Sequence, residues 1–209
     1  FIAALFGAEL SAPKPFKTRN YNFYTPVLSM TKRKPFRASG KRFMRDLSQL
    51  LAEFGVETKT ISTRVENESH RLRLVLSSKP ASLINLWSKI GFEYNQTRRA
   101  LANAAAQFVK HKNILVAERS QAAENAVAMQ SVGIARKEIF SQLVTPNVNR
   151  RFVERSLYEG RDTAPRVASN FHTFDAYRAG VTEGLGKSGM VWEHNTQIEE
   201  ISFSDDVYD

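Results

Sequence analysis

Glu9 closes an apolar run, FIAALFGAEL, and the stretch beyond it is one-sided in charge: between Leu10 and Arg45 there are ten Lys or Arg residues and no Asp or Glu. A solvated surface normally mixes signs, so a segregated basic block beside an isolated carboxylate fits a surface that faces phosphate. The net charge of +9 and pI near 9.9 point the same way, towards a polyanionic partner. Two further groups of side chains could take part. In HRLRLVLS, Arg71 and Arg73 alternate with Leu72, Leu74 and Leu76, so one strand would present arginines on one side and bury leucines on the other. Near residue 150, Asn149, Arg150, Arg151 and Arg155 crowd one short segment. The four histidines, His70, His111, His172 and His194, have no metal-ligand spacing, and the chain has no cysteine, hence no disulfide or thiolate chemistry. GLGKSG (184–189) lacks the first glycine at phosphate-loop spacing and a preceding apolar strand, so it reads as a loop.

The elements that would hold these residues are set by periodicity. Residues 2–9 form a short, nearly all-apolar helix, buried or packed on a partner. Pro13 and Pro15 break it, and the segment 16–32 reads as two strands joined by a turn. Phe43, Leu47, Leu50, Leu51 and Phe54 recur at helical spacing over 41–54, with Gly55 as the stop. ETKTISTRV and HRLRLVLS flank a polar Glu-Asn-Glu-Ser turn as a hairpin. Helices over 81–89 and about 97–110 complete an α+β unit, helices stacked on one face of an antiparallel sheet. Three helices without a strand occupy 119–160, and 160–189 is loop-rich. Two short helices across a tight turn, the second rich in Arg and Asn, read either as a helix-turn-helix DNA reader or as a small helical spacer. The end, MVWEHNTQIEEISFSDDVYD, reads as one or two strands, with six acids and no base after Lys187. No apolar run is long enough to span a bilayer, and the absence of cysteine fits a cytoplasmic protein.

The run IAALFGAEL (2–10) resembles the LAGLIDADG motif of homing endonucleases. PVLSMTK (26–32), SGKRFMRDLSQLLAEFGVET (39–58) and NLWSKIGFEYNQTRRALANAAAQFVKHK (85–112) resemble successive pieces of the endonuclease halves carried by archaeal inteins. The resemblance implies a saddle-like antiparallel sheet in an αββαββα half-domain over 1–115. It implies a helix-turn-helix module over 116–165, and over 166–209 a linker and the start of a splicing-domain β region. Site-specific cleavage of double-stranded DNA would be the activity, by Mg²⁺ or another divalent cation held at Glu9. Lys79 or Arg98 would be the assisting base or clamp; Arg98 stands where Lys is usual and, unlike Lys, cannot give up its proton. The DNA contacts implied are Lys17, Arg19, Asn20, Lys32, Arg71 and Arg73 on the sheet and Asn149, Arg150, Arg151 and Arg155 on the helical module. One carboxylate is half a site, so an upstream half or a second subunit is expected to supply the other. Alternatives are a remnant that binds DNA without cutting it, or a self-splicing element. His194-Asn195 is followed by Thr196 and lies upstream of VYD, which argues against a splice junction there.

Overall fold

The structure is a computed structural model that describes residues 1–18, 21–159 and 163–183. The expected β tail, the 184–189 loop and His194-Asn195 lie outside the described residues, as do Arg19 and Asn20.

The elements are α1 (Ile2–Glu9), β1 (Val27–Arg33), α2 (Arg37–Glu53), β2 (Thr58–Glu66), β3 (Ser69–Leu76), α3 (Pro80–Asn85, extended by a π-helical turn Leu86–Ile90), α4 (Gln96–Ser131), α5 (Arg136–Leu143), α6 (Arg150–Glu159) and α7 (Phe174–Val181). β2 and β3 form the expected hairpin, with Asn67 in the left-handed region at φ 54° within its turn. β1 pairs antiparallel with the other side of β3, giving a three-stranded sheet in the order β1-β3-β2. The fold is therefore α+β, but the 16–32 segment supplies one sheet strand, not two. Residues 14–24 instead close on themselves, Phe16 N donating to Asn22 O (2.8 Å) and Tyr24 N to Lys14 O (2.9 Å). Phe16 N and Tyr24 N are thereby spent on partners within 14–24, and the stretch adds no strand to the sheet.

Alternation divides the sheet. Leu72, Leu74 and Leu76 are fully buried beneath α2 and join Leu28, Met44, Leu47, Leu51, Trp87 and Phe108 in one core. α2 lies so close that a Cβ on Gly40 would stand 2.5 Å from a methyl of Leu72. Burying the three leucines of β3 contributes about 1.5–3 kcal/mol each. A second, smaller core gathers Ala122, Ala123 and Ala126 of α4 with Ile139, Val148, Phe152 and Val153.

α4 corrects the reading of 97–130 as two helices. It is one helix of 36 residues whose N-terminal half enters the first core and whose C-terminal half enters the second. The β-branched residues of Asn-Ile-Leu-Val suggest a boundary, yet no Gly or Pro interrupts 96–131, so nothing breaks the helix. α7 is also an addition to a stretch read as loop. Thr173 caps it, its hydroxyl accepting from Ala176 N (3.1 Å), and Phe174 and Tyr177 pack on the first core beside Phe108.

His172 sits in this seam, its ring stacked on His111 (5.5 Å) and Tyr177 (5.4 Å). Burial, and then the charge of His111, hold its pKa below the ordinary 6.5. A histidine with a lowered folded pKa stays neutral in the folded state while the unfolded chain takes up the proton. The seam is thus unaffected above about pH 7 and weakened as pH falls through and below 6.5. Amide exchange of α7, corrected for intrinsic rates, is expected to quicken between pH 7.5 and 5, and His172→Gln should remove that dependence. Equal exchange at both pH values would overturn this account.

Candidate nucleic-acid interface

The outward face of the sheet is built by register. Across it run three rows: Ser29–Arg73–Ser62, Thr31–Arg71–Arg64 and Arg33–Ser69–Glu66. No helix covers Arg71 and Arg73, both of which are exposed, as are Arg33 and Arg64. Arg64 and Arg71 stand directly opposite each other on neighbouring strands, an arrangement of like charges that costs stability unless an anion joins them. Glu66 offsets part of that cost, at 3.7 Å from Arg71, but both side chains are well exposed and the pair is weak. Ser29, Thr31 and Ser62 share these rows with the arginines, so the face carries hydroxyls as well as charge.

Arg71 and Arg73 thus lie where alternation placed them. Lys32 does not: it pairs with buried His70, on the helix side, and its stem passes within 3.1 Å of where a Cβ on Gly40 would be. Arg33 and Arg64 take its place, and sequence reasoning missed both. The signal was available, since a tight turn at Asn67-Glu68 couples the parity of β2 to that of β3. Lys17 is exposed on the 14–24 loop. Lys112, from α4, holds that loop by donating to Asn22 Oδ1 (2.5 Å), and burial lowers its pKa.

Glu9 is exposed at the foot of α1 and lines a groove of about 650 Å³ with Leu5, Ser29, Thr31, Glu66 and Arg71. The groove is continuous with the basic face through Ser29, Thr31 and Arg71. Two carboxylates at its wall could contribute ligands to a divalent cation. Among the described residues, however, no group of three or more His, Cys, Asp or Glu could hold one. Glu9 and Glu66 would be two ligands of a larger set.

Neither expected helper of Glu9 shares its groove. Lys79 precedes α3 and pairs with Glu57 at 2.8 Å. Arg98 Nη1 donates to the carbonyls of Phe6 (3.5 Å), Gly7 (3.1 Å), Ala8 (3.3 Å) and Leu10 (2.9 Å). It therefore meets the carbonyls at the C-terminus of α1, of which that of Phe6 also accepts from Leu10 N (3.3 Å), and the negative end of that helix. Asn95 adds a donation to Gly7 O (3.3 Å) while capping α4 through Arg98 N. The geometry gives Arg98 a task in holding α1 in place.

In the helical region, Asn149 Oδ1 accepts from Phe152 N (2.9 Å) and caps α6. Arg150 lies over the Phe140 ring (4.6 Å) and pairs with Glu154. Arg155 pairs with Glu159 at 3.0 Å, and that carboxylate raises its pKa. Arg151 is exposed beside Arg155. α5 and α6 are joined by a turn in which Val148 N donates to Thr145 O (3.2 Å). Replacing Asn149 by Ala should cost about 1 kcal/mol, read as a lower denaturation midpoint; no change would show the cap to be dispensable.

Relatives identify the company this chain keeps. They are RNA ligases by name. The chain is 31% identical over 206 residues to tRNA-splicing ligase RtcB of Methanopyrus kandleri, covering 96% of this chain and 19% of that protein. It is 32% identical over 206 residues to the protein of that name in Pyrococcus furiosus, covering 96% and 20%. With the one from Methanocaldococcus jannaschii it shares 28% over 222 residues, covering 100% and 21%. The chain spans about one fifth of the length of the curated relatives it matches. No described protein family matches the chain.

These names overturn the expectation of a LAGLIDADG homing endonuclease of an intein, and with it DNA hydrolysis, the nuclease function and double-stranded DNA as partner. No helix among the described residues is long and apolar enough to cross a membrane.

Proposed function

We propose that this chain is an RNA-binding segment of a tRNA-splicing-ligase-like protein, holding the RNA backbone on the outward face of its sheet. The observation that carries the reading is the facing pair Arg64 and Arg71, flanked by Arg73 and Arg33 among hydroxyls. Facing arginines lower the stability of a bare sheet and become favourable once a phosphate lies between them. The relatives' name supplies RNA as the polyanion. Ligation of RNA ends is assigned to the whole protein, as is any divalent cation, Mg²⁺ included; Glu9 would be one donor among others. A cytoplasmic location accompanies this reading.

Fluorescence anisotropy with a single-stranded RNA of 12 nucleotides tests it. Arg64→Ala with Arg73→Ala should weaken binding about tenfold and reduce the slope of log affinity against log salt by about 1.4, roughly 0.7 for each lost phosphate contact. Unchanged affinity and slope, or tighter binding of duplex DNA than of RNA, would overturn it.

A further inference from the structure

A second concentration of guanidinium groups lies in the helical region, away from the sheet. A cleft of about 370 Å³ is lined by Arg119 of α4, by Asn149, Arg151 and Arg155 at and within α6, and by Arg166 in the segment C-terminal to it. Its floor is fixed. The Arg119 guanidinium lies 4.0 Å from the Phe152 ring centroid and donates to Asn147 O, and Asn149 caps α6.

Two features make this arrangement unfavourable without an anion. Arg151 and Arg155 are four residues apart on one helix face, where like charges destabilise. Arg151 also sits in the first turn of α6, at the positive end of the helix, where an acid is the favoured residue. Arg150, its neighbour, is neutralised by Glu154, and Arg155 is shared with Glu159. For Arg151 and Arg166 no ion pair is found among the described residues. The remaining charge is directed at a cleft wide enough for a phosphate group, with the N-terminus of α6 beside it.

We propose that this cleft is a second phosphate-binding subsite, which takes a backbone phosphate of the same RNA that lies on the sheet. The proposal rests on the RNA-binding reading for its ligand, and on the arginine cleft alone for its position. α4 is one continuous helix that enters both cores, so the two surfaces are carried by one rigid element.

The full chain is titrated with the same 12-nucleotide RNA, comparing Arg151→Ala with Arg166→Ala against the sheet double variant. The cleft double variant is expected to lose about tenfold in affinity and about 1.4 in salt slope. A cleft variant that binds like the parent while the sheet variant is weakened would overturn the subsite and leave the sheet reading standing. The reverse result would retain the subsite and remove the sheet, and two unaffected variants would remove both. Loss of binding to inorganic phosphate with RNA binding unchanged would mark a site for free phosphate and overturn the proposal, as would a loss seen with duplex DNA alone. Should the alanine pair fail to fold, the unmodified chain answers instead. RNA should protect Arg151 and Arg166 from phenylglyoxal, read by mass spectrometry, and equal labelling with and without RNA would overturn the subsite.

Discussion

Gly7→Ala is expected to lower the thermal midpoint by about 6–12 °C, although the same exchange in an exposed helix raises stability by up to about 1 kcal/mol. The sign reverses because a Cβ at Gly7 would stand 1.9 Å from the backbone oxygen of Glu93. That oxygen belongs to a segment fixed from both sides. Glu93 N donates to Ala3 O (2.8 Å), and the chain then passes through Tyr94, at φ 58°, into the Asn95 cap of α4. Neither partner can yield by turning a side chain. α1 must lift or the 91–95 loop must deform, at about 3 kcal/mol. Differential scanning calorimetry checks this, and a midpoint equal to or above the parent's would show that α1 is not seated as described. Because Glu9 lies two residues on, the exchange should also disturb the groove beneath it.

Arg98→Met should cost about 2–3 kcal/mol and leave RNA affinity within twofold of the parent. Four carbonyls at the end of α1 lose their charged donor, and the methionine stem retains most of the packing. Arg98→Lys should cost less than half as much, since all four contacts come from one nitrogen and an ammonium can replace it. Chemical denaturation separates these outcomes. A variant of full stability that bound RNA many-fold more weakly would place Arg98 on the RNA and not on the helix.

Whatever depends on near neighbours is legible in the sequence. The leucines of β3 alternate with Arg71 and Arg73, and the apolar positions of α2 recur every three or four residues; both elements form, α2 starting four residues earlier than read and leaving Phe54 exposed. Lys32 is misplaced by such reading because the parity of β1 is set by its pairing with β3, some forty residues away, which no local pattern encodes. The role of Arg98 is hidden for the same reason: its acceptors lie 88–92 residues back along the chain. The facing pair Arg64 and Arg71 can be found by counting outward from the Asn67 turn. α7 escapes notice although its start carries a Thr cap and an Asp in the first turn. The partner is the deepest error. Arginines on a pleated face favour phosphate, and nothing in their spacing separates the double-stranded DNA expected from the tRNA for which the relatives are named.

The unbroken α4 has a geometric consequence. At about 1.5 Å and 100° per residue it is a rod of roughly 54 Å, and it sets the phase between whatever is mounted at its two ends. One residue inserted between Asn113 and Glu118, beyond the contacts of His111 and Lys112, would turn the arginine cleft through about 100° about the rod's axis relative to the sheet. Seven inserted residues would bring it back to within about 20°, displaced by roughly two turns. The helix is in this sense a keyed shaft, and the register of its middle, where no side chain need touch a ligand, decides whether two basic surfaces meet one strand or two.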